Sequence, residues 1–204
     1  MIIDTLAGHP GEWLRGSGPM SDVVISSRIR LARNIAGYPF LGKAGDEQKR
    51  EISSLIRRHV DAVATGGEWD YIEIAKTDEI DQQMLVERHL ISRQHADPRG
   101  SRGVALSKNE SISVMVNEED HLRIHVLRSG LQLDEIWTEI NRIDDRLEEK
   151  LDYVFHPRYG YLTACPTNVG TGIRVSVMLH LPALKLTGEI ERVFRAAKEM
   201  RLAV

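Results

Sequence analysis

The sequence predicts an α+β fold in which helices flank an antiparallel sheet. Residues 111–117 and 121–127 both alternate apolar and polar side chains, and the short acidic turn between them is typical of a β-hairpin. Residues 133–151 repeat apolar side chains at three- and four-residue steps, which indicates an amphipathic helix. Because the strands come as hairpins and the helices lie between groups of strands, an antiparallel sheet is favoured over a doubly wound parallel one.

The other elements follow from the same patterns, taken in chain order. The predictions are a leader rich in glycine and proline over 9–22, a strand over 22–27, a helix over 46–65 that Gly66 and Gly67 end, a strand over 69–76, a helix over 78–90, and strands over 159–165 and 174–181. In helix 78–90, Ile80, Met84 and Leu85 are expected to share the buried face. A last helix is predicted over 187–200, with Thr187 as its N-cap.

Composition limits the classes of function. A chain of 204 residues with 42% hydrophobic and 28% charged residues is typical of one globular domain. Its single cysteine excludes an internal disulfide, and its formal net charge of −3 gives no overall attraction for nucleic acid. There is no apolar run of about 18 residues and no signal-like start, so we expect a cytoplasmic protein without a membrane partner.

Two strand segments carry candidate anion-binding residues. In 121–127, His121, Arg123 and His125 are expected to share the face opposite the apolar one, where they form either an anion-binding surface or a solvated sheet face. Arg28 and Arg30 lie two residues apart on an extended chain and therefore point the same way. With the hydroxyls before them they favour a polyphosphate site, and the alternative is a charged surface strand.

The segment 165–174, with the sequence CPTNVGTGIR, combines a thiol, a glycine turn and a cation. Gly170 and Gly172 allow a close approach to a ligand or a positive φ, and Arg174 would reach the same ligand. Cys165 alone is equally consistent with a small buried side chain. It has no metal-ligating companions at a usable spacing, so no zinc site is predicted.

Several collinear segments together resemble the phosphagen (guanidino) kinases, and within them the bacterial protein arginine kinases. These segments are VVISSRIRLARN (23–34), LVERHLIS (85–92), VNEEDHLRI (116–124) and DRLEEKLDYVFHPRYGYLTACPTNVGTGIRVSV (145–177). Taken alone, Glu118 and Glu119 would be solvated charges in a turn and His89 a structural residue near a helix end. The resemblance instead implies an active site that spans these segments.

The resemblance implies that ATP lies on the sheet, with Mg²⁺ held through the nucleotide and no metal ligand from the protein. It implies that Glu119 holds the guanidinium of the substrate and that Cys165 lies beside the reacting nitrogen. The nucleotide-binding residues that it implies are Ser26, Ser27, Arg28, Ile29, Arg30, His89, Arg123, Arg174, Val175, Ser176, Val177 and Met178.

Two departures from the small-metabolite kinases favour a protein substrate. Residues 1–21, expected to form a leader or short helix, replace a longer helical domain, and Met178 stands where those kinases usually carry histidine. Residues 22–204 match a partial catalytic domain without the family's last strands and helices, so we expect a weak or inactive kinase. The alternatives are a non-catalytic module that binds nucleotide or arginine, and a kinase for a small guanidino metabolite.

The resemblance also implies partners. They are protein substrates with exposed arginines (a stress repressor and misfolded clients), a zinc-containing activator protein and a Clp-type protease. A homo-oligomer is compatible with the resemblance as well.

Overall fold

The computed structural model describes residues 8, 10–63 and 69–204. The strands are β1 (Val24–Arg33), β2 (Trp69–Glu73), β3 (Gly103–Ser107), β4 (Ile112–Val116), β5 (Leu122–Ser129), β6 (Phe155–His156), β7 (Gly160–Tyr161) and β8 (Ile173–Leu179). The α-helices are α1 (Asp46–Val63), α2 (Glu79–Glu87), α3 (Leu133–Glu148), α4 (Pro182–Leu186) and α5 (Ile190–Glu199). No helix in the described ranges is both long and apolar enough to cross a membrane.

The main sheet has six antiparallel strands in the order β2-β3-β4-β5-β1-β8, and β6 pairs with β7 in a separate ribbon. The predicted α+β class with an antiparallel sheet is therefore confirmed. The predicted hairpin is confirmed too, because β4 pairs with β5 across the acidic turn, with Val116 opposite Leu122. The ten-residue β1 is an interior strand, because it pairs with β5 on one side and with β8 on the other.

One face of the sheet packs on α1 and α3 and forms the main core. Ile52 and Ile56 of α1 and Ile136 and Ile140 of α3 have no exposed surface, and they belong to the same buried cluster as Ile29. Their spacing at three to four residues is the one that predicted both helices. The predicted C-terminal end of α1, at residues 64–67, lies outside the described residues. Residues 1–7 and 9, at the start of the chain, lie outside them as well.

The opposite face is covered over only part of its width. Leu85 of α2 and Leu90 after it pack on Val104, Leu106 and Met115 of β3 and β4. Over β5, β1 and β8 no α-helix of the described chain covers this face. A short 3₁₀ helix, Glu12–Leu14, packs beside β5 and β1, and the remaining polar side chains border cavities. Uncovered polar side chains on an otherwise packed sheet are available to a ligand.

Several sequence predictions are wrong in detail. Ile80 is 67% exposed and does not share the buried face of α2 with Leu85. Thr187 does not cap the last helix, because its hydroxyl donates to the Ala183 carbonyl at 2.9 Å and closes α4. The helix α5 begins at Ile190 without a side-chain cap.

Two strand predictions change for identifiable reasons. The strand predicted over 159–165 shrinks to β7, because Gly160 has a φ of +77° and Pro166 starts a short 3₁₀ turn. The strand predicted over 69–76 ends at Glu73, after which 74–76 form another 3₁₀ turn. Sequence analysis missed β3, all of whose residues are buried, so it lacks the alternation of a half-exposed strand.

Candidate active site

Strand alternation aims the polar residues of β1 at the uncovered face. Ile29 and Leu31 fill the main core, so Arg28 and Arg30 point the other way. The register then brings side chains from both neighbouring strands beside them. Arg28 lies opposite Leu127 of β5 and Ser176 of β8, and Arg30 lies opposite His125 of β5 and Arg174 of β8.

Adjoining cavities run along this face, and we call them together the arginine trough. A cavity of about 370 Å³ is lined by Arg28, Arg30, Arg123, His89, His125 and Arg93, among others. A second, of about 220 Å³, is lined by Ser26, Arg28, His89, Leu127, Ser176, Val177 and Met178. A third, of about 80 Å³, is lined by Arg30, Arg123, Arg174, Glu119 and Cys165 together with their neighbours. Shared arginines join the cavities, so residues from distant parts of the chain meet in one site.

The arginines of the trough repel one another. Burial, followed by the charges of Arg28, Arg123 and Arg174, lowers the pKa of Arg30 to about 10. Burial and the charges of Arg174 and Arg123 likewise lower the pKa of Arg28. In the described chain, the guanidinium groups of Arg30 and Arg174 have no hydrogen-bond or ion-pair partner, and Arg28 donates only to the Ser176 hydroxyl at 3.3 Å. Cations collected without a matching anion favour a polyanionic ligand.

Two histidines border the trough in their neutral form. Burial is the main cause that lowers the pKa of His125 well below its usual value, and the charge of Arg28 adds to it. His89 follows α2 with a φ of +60°, and its ring meets the Trp13 ring edge-on at 4.8 Å. Burial and Arg28 lower the pKa of His89 as well. Neutral rings offer hydrogen-bond donors to a ligand without adding to the repulsion.

The two glutamates at the end of the trough have different environments. Glu118 is buried and accepts hydrogen bonds from Arg123 at 2.8 Å and from the Ser92 hydroxyl at 2.7 Å. The Glu119 side chain is 40% exposed and meets Arg123 only at 3.3 Å. Glu118 therefore fixes Arg123, while Glu119 has a carboxylate that a ligand can reach.

A buried polar network brings Cys165 to the same end of the trough. Asp120 has no exposed surface, and its Oδ1 accepts from the Asn34 amide at 2.6 Å and from the Ala164 N–H at 2.6 Å. Asn34 also donates to the Leu162 carbonyl at 3.1 Å. The acidic turn, the end of β1 and the segment before Cys165 are thus tied together. Cys165 itself contacts the Thr167 hydroxyl at 3.0 Å.

Comparison with known proteins assigns the family. Residues 51–204 match the family model described as ATP:guanido phosphotransferase, C-terminal catalytic domain. The chain belongs to this family. Protein-arginine kinases of Halothermothrix orenii and Symbiobacterium thermophilum are 46% and 47% identical to it over 98% and 94% of this chain. The matches cover 57% and 55% of those relatives, so this chain spans little more than half their length.

Solved structures share the fold of this chain. The duplicated taurocyamine kinase of Schistosoma mansoni, with bound transition state analog components, superposes with a TM-score of 0.77 at 23% identity. That match covers 87% of this chain and 26% of the other. A lombricine kinase superposes with a TM-score of 0.67 at 23% identity, over 90% of this chain and 58% of its own.

Some of the residues predicted to bind nucleotide lie away from the trough. The Ser27 hydroxyl donates to the Gly130 carbonyl at 2.8 Å and accepts from the Gln132 N–H at 3.0 Å, on the α3 side of the sheet. The Ile29 side chain fills the core. Val175 is 49% exposed and lines none of the trough cavities. The side chains of these three residues therefore do not line the trough, and the residues shape it by forming the strands β1 and β8.

His121 does not join Arg123 and His125, which corrects the expected row of basic residues. It precedes β5, and its Nδ1 accepts from the Ile35 N–H at 2.9 Å. The other ring nitrogen therefore carries the proton and donates to the Pro39 carbonyl at 3.0 Å. His121 is a buried anchor for the chain that leaves β1.

The glycine turn before β8 packs closely on β1, and Gly172 also lines the third cavity of the trough. Gly172 has a φ of +66°, and a Cβ there would lie 2.5 Å from Arg33 Nη1 and 2.6 Å from the Ala32 carbonyl oxygen. Gly170 has a φ of +118°, with only the Tyr159 carbonyl oxygen near its virtual Cβ, at 4.0 Å. The turn thereby reaches β1 and starts β8 with Arg174 on the trough face.

Sequence analysis missed Arg93, Asn34 and Asp120. Arg93 is exposed at the rim of the largest trough cavity, four residues after His89. Asn34 and Asp120 act through buried hydrogen bonds across 86 residues of chain, a relation that no local pattern encodes. The sequence signal for them was position, because Asn34 and Asp120 lie within, and Arg93 directly after, segments already assigned to the site.

Proposed function

We propose that the chain is the catalytic part of an ATP-dependent protein arginine kinase. It would transfer the γ-phosphoryl group of ATP to the guanidinium group of arginine side chains on proteins. The observation that carries this proposal is the trough, in which Arg30 and Arg174 have no partner among the described residues and lie beside a reachable carboxylate and a thiol. Relatives named protein-arginine kinase support the choice of substrate.

The arginines would bind the triphosphate. Arg28, Arg30, Arg123 and Arg174 come from three adjacent strands, so the packed sheet holds them in place before ATP arrives. Phosphoryl transfer depends mainly on positioning and on neutralising charge, which preorganised guanidinium groups supply. The described residues include no group of three or more histidine, cysteine or acidic side chains suited to a metal. We therefore propose that Mg²⁺ is held through the phosphates, where it offsets part of their charge.

Glu119 and Cys165 would serve the guanidinium. A guanidinium group is a weak nucleophile, because its nitrogen lone pairs are delocalised and it holds its proton tightly. The Glu119 carboxylate would orient the group and accept a proton from the attacking nitrogen. That nitrogen then forms a bond to the γ-phosphorus while the bond from phosphorus to the oxygen of ADP breaks. Cys165 would lie against the same guanidinium and help to hold it.

The proposal extends to the cellular role that the resemblance implies. It places the enzyme in the cytoplasm in protein quality control, with a stress repressor and misfolded clients as substrates. A Clp-type protease would receive the phosphorylated proteins, and a zinc-containing protein would activate the kinase. Co-purification of these proteins with the chain from a related bacterium would test this part.

The direct test uses γ-³²P-labelled ATP, Mg²⁺ and an arginine-rich protein. We expect label that acid removes, because a phosphorus–nitrogen bond is hydrolysed in acid whereas phosphoserine survives. Glu119→Gln should lower the rate about a hundredfold or more, because it removes the proton acceptor. Glu149→Gln, a change to an exposed glutamate after α3, is the matched control and should keep the rate.

Other outcomes separate the alternatives. Calorimetry should show ATP binding in both variants, since Glu119 does not contact the phosphates in the proposed mechanism. Absence of label from the wild-type chain, with ATP binding intact, would contradict kinase activity of these 204 residues and leave either an inactive part of a kinase or a binding module. Strong competition by free arginine would favour a small guanidino metabolite as the substrate.

A further inference from the structure

A second cationic cavity lies at the other end of the sheet from β8. It has a volume of about 320 Å³ and lies between α1, the edge strand β2 and the loop before β3. We call it the edge cavity. The residues that matter for the argument are Arg50, Ser53, Ser54 and Arg57 of α1, with Arg102 of the loop. Spacings of three, four and seven residues put the four α1 side chains on one face of the helix.

Positive charge exceeds negative charge in the edge cavity. Of its described lining residues only Glu73 is acidic, and it is already bound by Arg57 at 2.7 Å and by Lys76 at 2.9 Å. The Arg50 guanidinium is exposed and has no hydrogen-bond or ion-pair partner among the described residues. An exposed ion pair such as that of Arg57 is weak, so a ligand can compete for it.

Arg102 is only partly neutralised. It donates to the Asp97 carbonyl oxygen at 2.9 Å, and its nearest distance to the Asp97 carboxylate is 3.6 Å. That carboxylate is bound more closely by Arg99, at 2.6 Å. Hydroxyl donors lie beside these cations: Ser53 lies 3.4 Å from the Tyr71 hydroxyl, and Arg57 stacks 4.7 Å from the centre of the Tyr71 ring. Guanidinium forks with nearby hydroxyls suit phosphate oxygens.

We propose that the edge cavity binds a phosphoryl-bearing anion and that its occupancy is sensed at Glu119. A volume of about 320 Å³ exceeds what a lone phosphate fills, so a phosphorylated side chain should bind better than inorganic phosphate. This site is separate from the arginine trough, and the proposal does not depend on the proposed kinase activity.

Asn117 provides the route from the edge cavity to Glu119. Its side-chain amide donates to the Lys49 carbonyl at 2.8 Å and to the Ser101 carbonyl at 2.8 Å. Those carbonyls belong to the residues directly before Arg50 and Arg102, which form opposite walls of the cavity. Asn117 has a φ of +60° and leads directly into the turn that carries Glu119. An anion that draws the walls together therefore acts on Asn117 through both hydrogen bonds.

Nuclear magnetic resonance of the ¹⁵N-labelled 204-residue chain tests the proposal at both places in one titration. The probes are inorganic phosphate and a short peptide with one phosphoserine. We expect saturable shifts of the Ser53, Ser54 and Ser101 amides, with a smaller shift at Glu119. Because Glu119 also lines the trough, its shift supports the proposal only at probe concentrations that leave the β8 signals, which report binding in the trough, unchanged.

Matched variants decide whether Arg50 holds the anion. Arg50→Gln should weaken binding at the edge cavity about tenfold, as expected for one charge-assisted hydrogen bond. Arg58→Gln changes an exposed arginine on the same helix that does not line the cavity, and it should alter binding less than twofold. Equal effects of the two changes, or no saturable shift with either probe, would overturn the site. Saturable binding without a shift at Glu119 would overturn its link to the active site.

Discussion

Arg30 shows how a single residue of the trough is held against electrostatic repulsion. Burial lowers its pKa, and the charges of Arg28, Arg123 and Arg174 lower it further. We expect Arg30→Gln to raise the free energy of unfolding without ligand, because it removes repulsion and breaks no hydrogen bond in the described chain. Urea denaturation measures this, with Arg58→Gln as the control on an exposed helix face. A loss of stability in Arg30→Gln alone would show that the trough is not under repulsion.

His95 makes the stability depend on pH. Its Nε2 donates to the Gly103 carbonyl at 2.9 Å, its Nδ1 is buried without a partner, and burial is the main cause that lowers its pKa to about 4. The unfolded chain takes up this proton near pH 6.5, so protonation favours unfolding. The free energy of unfolding should therefore fall as the pH drops from about 6.5 to about 4, with His95 contributing about 1.4 kcal/mol per pH unit.

His95→Gln tests this contribution. Denaturation in urea at several pH values should show a shallower decline of stability in the variant than in the wild type. His180→Gln, the same change at an exposed position, is the matched control. If the free energy of unfolding declines with falling pH as steeply in His95→Gln as in the wild type, His95 does not cause the pH dependence.

At the scale of elements, the turn before β8 depends on close packing against β1. The Arg33 guanidinium donates to the Thr171 carbonyl at 2.9 Å and pairs with buried Asp144 of α3 at 2.6 Å. Gly172 lies against Arg33, where there is no space for a side chain. One buried cation thus joins α3, β1 and the turn that delivers Arg174.

Gly172→Ala should therefore destabilise the protein more than a comparable change elsewhere. Gly188→Ala is the matched control, because Gly188 has a φ of +77° but nothing within 4 Å of its virtual Cβ. The control carries only the backbone strain of about 1–2 kcal/mol, whereas Gly172→Ala adds a steric overlap with Arg33 and Ala32. Chemical denaturation compares the two variants. Equal losses would mean that the turn does not pack on β1 as described.

At the scale of the whole molecule, sequence patterns predicted what depends on local periodicity. The hairpin of β4 and β5 and the helices α1 and α3 each show the period of their element, and the structure has them. Thr187 shows the limit, because a suitable cap residue also serves as the end of the preceding helix. The fully buried strand β3 has no alternation to read.

The candidate site required long-range information as well. Alternation alone places Arg28 and Arg30 on one face, but only the register of β1 with β8 puts Arg174 beside Arg30. Alternation also places the Ser27 hydroxyl on the α3 side of the sheet, opposite Arg28. The hydrogen bonds of Asp120 to Asn34 and Ala164 depend on the folded topology and on no local pattern. The family resemblance named residues in the site, and the register shows which of their side chains meet.

The central claim is that the arginine trough binds the phosphates of ATP. Calorimetric titration with ATP and with AMP, each with Mg²⁺, tests it most directly, because the two ligands share the nucleoside and differ in phosphate charge. We predict that ATP binds at least about tenfold more tightly than AMP, and that this ratio shrinks in the double variant Arg30→Gln with Arg174→Gln. Equal affinities for ATP and AMP in the wild-type chain would contradict the claim.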